Sequence, residues 1–560
     1  MKPAVAHDAD KKSSQPSAAK PSWKQTLKQK PFFHALYWLL AVLFALLLLP
    51  YMAVRAIFSI YGQITLTPVL FHLSQGGEAG LPWDIAASFV PWIVGYVALA
   101  GFSLATAWAF WRFDTISAGL QWSIGLLLQW SIRLLNVIPG IRQINRCPLL
   151  LALLIFVAVP PYWLHSIDRK LHIIEFFTQP ESPWIESHYA RLDLQAAQPE
   201  VKQKPNLIVL FLESMEQGYT DKSIFSENLI PELQAIRQEG ISFTDYRRTP
   251  GSAFTMDGMS AQLLGIPIVA SRIGLDIHNR KTTEQGYSAL LRNAPSIFNL
   301  LEQRGWRTAA FTGASEHFTR KGDFFRVHGI REVHSREFFN QKGFKEDAFS
   351  KGRWGYNDAF LYARLQDWLT EAGRSGRPFA VVMETVDTHA PSGFVRPEFT
   401  HYGDARDAMR QSSRMAASFI KWAQAQPWYS NTVIYIAGDH PWQDSPDTIF
   451  SKFSAAQPKR EIFNVLLNAR APGFQPGDVV KIPGGWCAMD IAPTLLDAMN
   501  VPYEAHFSDG KLTTSHIGLG TSLFKAADSA SKTQTWISQM GEPAFKRELE
   551  KPSRFYDALF

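Results

Sequence analysis

The sequence predicts an α/β domain with a mostly parallel central sheet, preceded by a helical transmembrane region. Long apolar runs fill the first third of the chain, and the remainder alternates short β-rich runs with amphipathic helical patterns. Continuous apolar strands that alternate with helices are typical of a parallel sheet buried on both faces. Because 46% of the 560 residues are hydrophobic and 13% are aromatic, the composition excludes a disordered chain and a small disulfide scaffold.

The charge is nearly balanced, with 56 basic and 50 acidic residues. This imbalance is too small to indicate a nucleic-acid partner. Basic residues are concentrated before the first apolar run, at Lys2, Lys11, Lys12, Lys20, Lys24, Lys28 and Lys30, and such a tail beside an apolar run indicates a membrane. The two cysteines, Cys147 and Cys487, lie in dissimilar contexts, and we expect both to be free.

Three apolar runs are long enough to cross a bilayer as helices, namely His34–Ile57, Ile85–Trp111 and Cys147–Leu164. Two further segments leave the number of crossings open. Ser117–Ile138 carries Gln and Arg side chains and could lie in the interface, pack inside a bundle or span the membrane. If it and Phe58–Leu73 both cross, the protein has five spans, and otherwise it has three.

The distribution of Lys and Arg predicts a cytoplasmic N-terminal tail and places everything after Leu164 outside the cytoplasm. We expect five regions along the chain. They are a basic tail over 1–33, the transmembrane region over 34–165, a linker over 166–204, a folded α/β domain over 205–530 and a C-terminal extension over 531–560.

Within the α/β domain, strands are predicted at Leu207–Leu212, Thr308–Thr312, Phe379–Met383 and Thr432–Ile436. The predicted helices are Leu229–Glu239, Pro295–Arg304, Asp358–Gly373, Met409–Ala425 and Met489–Met499. In open sheets of this kind, ligands bind beyond the carboxyl ends of the strands.

Metal-ligating residue types follow three of these strands. Glu213 ends the first strand, Asp387 and His389 follow the third, and Asp439 and His440 follow the fourth. Any one of them alone is typical of a helix cap or a turn. Together, carboxylates and imidazole suit a divalent ion such as Zn²⁺ or Mn²⁺.

A nucleophile is predicted in the segment Thr249–Pro267, where a Pro-Gly turn precedes a helical pattern. The Thr255 hydroxyl is expected at or just inside the helix N-terminus, where free N–H groups favour an anionic phosphoryl group. The alternative is that Thr255 or Ser252 is only an N-cap residue.

Seven segments in this order resemble the bacterial phosphoglycerol transferases that decorate periplasmic glucans. They are NLIVLFLES, TPGSAFTMDGM, GASEHFTRKGDFFRVHGI, WGYNDAFL, TVDTHAPSGF, AGDH and GLGTSLF. Those enzymes are relatives of lipoteichoic acid synthase within the alkaline phosphatase and sulfatase superfamily. The similarity covers Asn206–Leu523 and implies an alkaline-phosphatase-like sandwich for the domain. It also implies a multi-pass protein of the bacterial inner membrane, with the catalytic domain periplasmic or extracellular.

The resemblance implies a role for each matching residue. One divalent ion, Mn²⁺, Zn²⁺ or Mg²⁺, would be held by Glu213, Thr255, Asp439 and His440, and Thr255 would also be the nucleophile. His389 matches a histidine that contacts the substrate phosphate or the leaving oxygen. Arg320 matches a basic residue that holds phosphate or the glycerol head group, with Phe318 where lipoteichoic acid synthase has Trp.

Two residues of the WGYND segment, Trp354 and Asp358, match a family motif without an assigned role. Trp354 is counted as a candidate for substrate binding. A buried core indole and a helix-capping carboxylate are the alternatives for this pair. Neither Cys487 nor the residues near Thr255 show the C/S-x-P-x-R context of formylglycine sulfatases, which argues against sulfate-ester hydrolysis by that route.

The implied reaction transfers phosphoglycerol from phosphatidylglycerol, a membrane phospholipid, to a hydroxyl of a periplasmic or cell-envelope glycan through a covalent phospho-threonine intermediate. One alternative is a phosphoethanolamine transferase that acts on lipid A, a lipopolysaccharide acceptor, or on another envelope glycan. The scarcity of cysteine argues mildly against it. A second alternative is an inactive sulfatase-fold protein that binds or senses a ligand.

Overall fold

The computed structural model describes residues 31–61, 83–112, 148–196, 204–269, 290–347, 354–390, 393–442 and 460–559. The chain divides into two compact units. The first comprises residues 1–54 and 91–166, and the second comprises residues 55–90 and 167–560.

Three long helices correspond to the three predicted apolar runs, at Pro31–Tyr61, Trp83–Arg112 and Pro148–Leu171. The segment Trp38–Phe58 has a mean hydropathy of 2.2 and is long and apolar enough to cross a membrane. The number of spans stays a prediction, because Ser117–Ile138 and most of Phe58–Leu73 lie outside the described residues.

Inside the first unit the helices pack through aromatic and small residues. Trp163 stacks on Tyr51 with 5.2 Å between the ring centroids, and the Ser103 hydroxyl donates to the Ala41 carbonyl. Large apolar side chains such as Leu46 are exposed on the same helices. An apolar outer face of this kind is typical of helices in lipid.

The described residues form thirteen strands, numbered in chain order: β1 Arg191–Leu192, β2 Asn206–Leu212, β3 Ser242–Tyr246, β4 Arg307–Thr312, β5 Glu332–His334, β6 Phe379–Glu384, β7 Thr432–Gly438, β8 Asn464–Leu467, β9 Val479–Trp486, β10 Ala505–His506, β11 Leu512–Thr513, β12 His516–Ile517 and β13 Gly520–Thr521. Six of them make the central sheet, in the order β5-β4-β6-β2-β7-β8. All neighbouring pairs are parallel except β7 and β8. The predicted α/β class with a mostly parallel sheet is confirmed.

The sheet is covered by helices on both faces. Leu207, Val209 and Phe211 of β2 contribute to one core, and the alternate residues Ile208 and Leu210 contribute to the other. This double burial explains why β2 is a continuous apolar run. The main helices of the first core are Thr255–Leu264, Ile297–Gln303 and Ile491–Ala498, and those of the second are Pro231–Arg237, Asp358–Arg374 and Ala405–Gln424.

Shorter elements complete the second unit. Among the described residues, the remaining α-helices are Ile173–Thr178, Trp184–His188, Lys222–Phe225, Lys321–Val327, Arg336–Gln341, Leu523–Ala527, Trp536–Met540, Glu542–Glu550 and Arg554–Leu559. β3 pairs with β9, β12 pairs with β13, and β10 lies between β1 and β11 in a three-stranded sheet. Phe545 and Tyr556, near the C-terminus, belong to the first core. Cys487 is free and buried, whereas Cys147 lies outside the described residues.

Candidate active site

Two neighbouring strand ends bring three buried candidate ligands together. Glu213 follows β2, and Asp439 and His440 follow β7. Because β2 and β7 are adjacent and parallel, their carboxyl ends lie at the same edge of the sheet. Ligand atoms of the three side chains lie within 4.8 Å of one another. His440 Nε2 is 3.4 Å from Glu213 Oε1 and 3.4 Å from Asp439 Oδ2.

The Asp439 carboxylate is satisfied at one oxygen and orphaned at the other. The backbone N–H groups of Ser214 and His440 both donate to Oδ1 at 2.8 Å. Oδ2 is buried and has no hydrogen-bond partner among the described residues. Because an unsatisfied buried acceptor is costly, Oδ2 fits a position that faces a cation.

The His440 ring has the orientation of a metal ligand. Its Nδ1 lies 2.8 Å from the carbonyl oxygen of Pro441. Since a carbonyl only accepts, Nδ1 carries the proton, and Nε2 of the neutral ring presents a lone pair beside the two carboxylates. Two ligands of a tetrahedral ion with bonds of about 2.1 Å are about 3.4 Å apart. Glu213, Asp439 and His440 therefore fit a divalent cation.

The two carboxylates have opposite pKa shifts. Burial raises the pKa of Glu213, but the neighbouring imidazoles of His440 and His389 and hydrogen bonds from Ser214 and Thr255 outweigh it, so the net shift is downward. The pKa of Asp439 lies well above its ordinary value because of burial and the nearby charge of Glu213. Two negative charges at this place would repel each other, and a cation between the two carboxylates would relieve that repulsion.

Thr255 joins this group from the other side. The helix Thr255–Leu264 begins at Thr255 itself, and Thr255 Oγ1 donates to Glu213 Oε2 at 3.0 Å. The N-cap residue is Phe254, which makes no side-chain cap bond, and the Ser252 hydroxyl donates to the Thr249 carbonyl at 2.7 Å. Neither predicted hydroxyl caps the helix, and the half-buried Thr255 side chain contacts the carboxylate instead.

Gln262 ties this helix to the end of β7. Its side-chain amide donates to the carbonyl oxygens of Gly438 and Asp439, each at 3.2 Å, and accepts from the Tyr435 hydroxyl at 2.9 Å. Gln262 is not among the site residues predicted from the sequence. The sequence signal that could have indicated it is an amide residue within a mostly apolar helical segment.

The aromatic rings of Trp354 and Phe318 form a row beside the His389 ring. The Trp354 ring centroid lies 4.6 Å from that of His389 and 4.9 Å from that of Phe318. His389 Nδ1 is engaged with the Ala390 carbonyl at 2.7 Å, so a substrate would be contacted through Nε2. Trp354 is 8% exposed, and its indole N–H has no hydrogen-bond partner among the described residues.

Asp358 holds the loop that carries His389. Its carboxylate accepts from the backbone N–H groups of Val386 at 2.7 Å and Asp387 at 3.3 Å. Burial raises the pKa of Asp358 to about 7, against the lowering effect of these two hydrogen bonds. The cap of the helix Asp358–Arg374 is Asn357. The two matched residues of the WGYND segment therefore both contact the His389 loop, a relation that the sequence did not reveal.

Arg320 lies in a strained turn beyond β4. Thr319 and Arg320 adopt φ values of 54° and 52°, in the left-handed region, which costs a non-glycine residue free energy. Arg320 is half-buried. The next residue, Lys321, forms a buried ion pair with Glu384 at the end of β6, a contact that no sequence pattern predicted. This pair attaches the Arg320 turn to the strand that leads to His389.

The family model for Sulfatase matches residues 205–501, which is more than half of the chain. The chain belongs to the sulfatase family. The predicted membership in the sulfatase family is confirmed, and the matched residues of this sulfatase-family protein contain the mostly parallel α/β sheet.

Similar proteins include phosphoglycerol transferase I of Escherichia coli O6:K15:H31, 29% identical over 300 residues, and that of Escherichia fergusonii, 30% identical over 300 residues. Both alignments cover 50% of this chain and 38% of the relative, so the chain spans well under half of those relatives.

Solved structures similar to this sulfatase-family chain include the lipoteichoic acid synthase LtaP of Listeria monocytogenes, with 16% identity and a TM-score of 0.45 over 67% of this chain and 96% of that one. The lipooligosaccharide phosphoethanolamine transferase EptA of Neisseria meningitidis has 12% identity and a TM-score of 0.45 over 85% of each chain.

Proposed function

We propose that this protein is a metal-dependent phosphotransferase that moves phosphoglycerol from phosphatidylglycerol to a hydroxyl of a cell-envelope glycan. The observation that carries the proposal is the 3.0 Å hydrogen bond from Thr255 Oγ1 to Glu213, which joins a helix-terminal hydroxyl to the group Glu213, Asp439 and His440. The curated relatives named phosphoglycerol transferase I support the choice of the transferred group.

The proposed ligands of one divalent ion are Glu213, Asp439, His440 and Thr255. Two carboxylates and an imidazole suit Zn²⁺ or Mn²⁺, and carboxylates alone also suit Mg²⁺. When bound, such an ion supplies positive charge and lowers the pKa of the Thr255 hydroxyl.

In the first step, Thr255 Oγ1 attacks phosphorus. A bond forms between Oγ1 and phosphorus, and the bond from phosphorus to the diacylglycerol oxygen breaks. Glu213 Oε2 accepts the hydrogen bond from the Thr255 hydroxyl and orients it, and the hydroxyl proton leaves to solvent. The leaving diacylglycerol oxygen receives a proton from His389 Nε2 in the protonated ring.

In the second step, an acceptor hydroxyl attacks the phosphoglycerol-threonine. Its oxygen bonds to phosphorus, the bond from phosphorus to Thr255 Oγ1 breaks, and Thr255 recovers a proton from solvent. The acceptor's proton passes to His389 Nε2, so Thr255 and His389 return to their starting protonation states. The backbone N–H groups in the first turn of the Thr255 helix stabilise the negative phosphoryl oxygens in both steps.

Three further residues are proposed to hold the head group. The unpartnered indole N–H of Trp354 is suited to donate to a glycerol hydroxyl, and the Phe318 ring packs beside it. Arg320 is proposed to bind the phosphate through its planar guanidinium fork. The left-handed turn at Arg320 is consistent with a side chain held for a specific contact.

The proposed location is the bacterial inner membrane, with several spans and the catalytic domain on the periplasmic or outer side. The apolar segment Trp38–Phe58 supports a membrane anchor. An anchor would keep the catalytic domain near its lipid donor.

The test incubates the purified full-length protein with radiolabelled phosphatidylglycerol or, in a parallel reaction, phosphatidylethanolamine. We expect diacylglycerol and a protein-bound phosphoglycerol adduct from the first lipid only. Turnover of phosphatidylethanolamine alone would favour the phosphoethanolamine alternative. No turnover of either lipid by metal-loaded protein would favour an inactive binding protein.

A further inference from the structure

Glu216 and Arg460 form a buried ion pair just beyond Glu213. Arg460 Nε donates to Glu216 Oε2 at 2.9 Å, and Arg460 Nη2 donates to Oε1. Glu216 is 0% exposed and Arg460 is 8% exposed. The cost of removing two charges from water offsets much of their attraction in a buried pair. A gain in stability is therefore a weak explanation for the presence of an ion pair at this position.

The pair holds the backbone of Trp442 on both sides. The Trp442 N–H donates to Glu216 Oε1 at 2.8 Å, and the Trp442 carbonyl accepts from Arg460 Nη2 at 2.8 Å. Trp442 is two residues beyond His440. Both charged side chains therefore act on the segment that leaves the candidate metal centre.

One peptide unit connects this pair to His440. The N–H of Trp442 and the carbonyl of Pro441 belong to the same planar peptide group. Glu216 accepts from the N–H end of that group, and His440 Nδ1 donates to its carbonyl end at 2.8 Å. A rotation of this peptide would move the acceptor that orients the His440 ring.

We propose that Glu216 and Arg460 are positioning residues for His440. Through the Pro441–Trp442 peptide they hold His440 Nε2 toward Glu213 and Asp439, so the affinity of the centre for a divalent ion depends on two residues that are not its ligands. This inference rests on the metal centre of the proposed function. Partners that orient a ligating histidine commonly change metal affinity by about 10-fold to 100-fold.

The segments that carry the pair are also joined through their backbones. Gln217 N donates to the Glu461 carbonyl, and Phe463 N donates to the Met215 carbonyl, each at 2.9 Å. Loss of the two charged side chains would leave these bonds in place. Variants at Glu216 and Arg460 are therefore expected to fold.

The experiment compares full-length wild type with Glu216→Ala and Arg460→Met. Zn²⁺ affinity is measured by competition with a chromophoric chelator, and the visible absorption of Co²⁺-loaded protein reports ligand geometry. Glu332→Ala, which breaks the ion pair with Arg307, is the control. We expect Zn²⁺ affinity to fall by about 10-fold to 100-fold in both test variants and their Co²⁺ absorption bands to change. In the control variant, Zn²⁺ affinity and the Co²⁺ bands should be those of wild type.

Wild-type Zn²⁺ affinity and Co²⁺ bands in both test variants would overturn the inference and leave the proposed function intact. If Glu216→Ala fails to fold, Arg460→Met decides the result. A wild type that binds neither ion would overturn the metal centre and this inference together. Normal metal binding without lipid turnover would contradict only the proposed reaction.

Discussion

Gly258 lies against the backbone of Asp439. A β-carbon added at Gly258 would be 2.0 Å from the Asp439 carbonyl oxygen, far inside van der Waals contact. Gly258 is one turn along the helix that begins at Thr255. The absence of a side chain at this position therefore sets how closely the Thr255 helix approaches the end of β7.

Gly258→Ala is accordingly expected to push the helix away from Asp439 and separate Thr255 from Glu213. Lipid turnover should fall by at least about 100-fold, because misplacement by about 1 Å can cost that much. Turnover and the thermal unfolding midpoint are measured for this variant and for Gly101→Ala. Gly101 is also helical, but an added β-carbon there meets no atom within 4 Å. Equal turnover in the two variants would contradict the prediction.

Thr255→Ala is expected to abolish turnover while metal binding persists. Loss of a covalent nucleophile costs several orders of magnitude in rate, whereas loss of a hydroxyl hydrogen bond costs about 1 kcal/mol of stability. Mass spectrometry of wild type without acceptor should find the phosphoglycerol mass on the peptide that contains Thr255. Ser252→Ala is the control and should stay active. An adduct on Ser252 or Ser260, or an active Thr255→Ala, would refute the assignment.

Replacing Glu213, Asp439 or His440 by Ala should lower metal content and turnover together. Each change removes one buried group from the candidate centre, and the strands beneath it are unaffected. Elemental analysis of each purified variant beside wild type measures the metal. Asp245→Ala, which removes a carboxylate paired with Arg247, should keep wild-type content. The ligand assignment is wrong if all three site variants also keep the wild-type metal content.

The predicted topology places the N-terminal lysine-rich tail in the cytoplasm and the catalytic domain outside it. Alkaline phosphatase and green fluorescent protein fused in turn after Phe560 test this orientation. The phosphatase fusion should be active. The green fluorescent protein fusion should be dark, because this protein does not become fluorescent when it is exported unfolded. Strong fluorescence from the C-terminal fusion would show that the orientation is wrong.

Asp490 is expected to make stability depend on pH. Burial raises its pKa from 3.8 to about 7, although hydrogen bonds from Cys487 and Thr521 oppose the shift. Between these two values the folded chain keeps a proton that the unfolded chain has lost, so stability falls as pH rises through this window. Thermal unfolding at several pH values should show a flatter dependence for Asp490→Asn. Identical pH dependence in variant and wild type would contradict the shift.

Strand positions in the central sheet were predictable because strands buried on both faces are continuous apolar runs. The predicted run Thr432–Ile436 is β7, Thr432–Gly438, and the other three predicted strands lie within β2, β4 and β6. The short edge strands β5 and β8 were not predicted. Segments of three and four residues carry too little periodicity to be distinguished from a loop.

The sequence by itself determined which chemical groups follow the strands. Carboxylates and imidazole at Glu213, Asp439 and His440, and a hydroxyl at Thr255, are properties of residue order. Parallel strands then place the groups after β2 and β7 at one edge, because neighbouring parallel strands end together. The candidate site could be predicted to this extent from local pattern and family resemblance.

Only the tertiary structure decided how these groups are held. The contact of Gly258 with Asp439 joins residues 181 positions apart, and the hydrogen bond from the Trp442 N–H to Glu216 joins residues 226 positions apart. The unpartnered Asp439 Oδ2 also results from how distant segments pack around this carboxylate. No local periodicity encodes them, because each depends on the side chain that another segment brings to the same place. The residue types of the candidate ligands follow from the sequence, and their orientation follows from packing between distant segments.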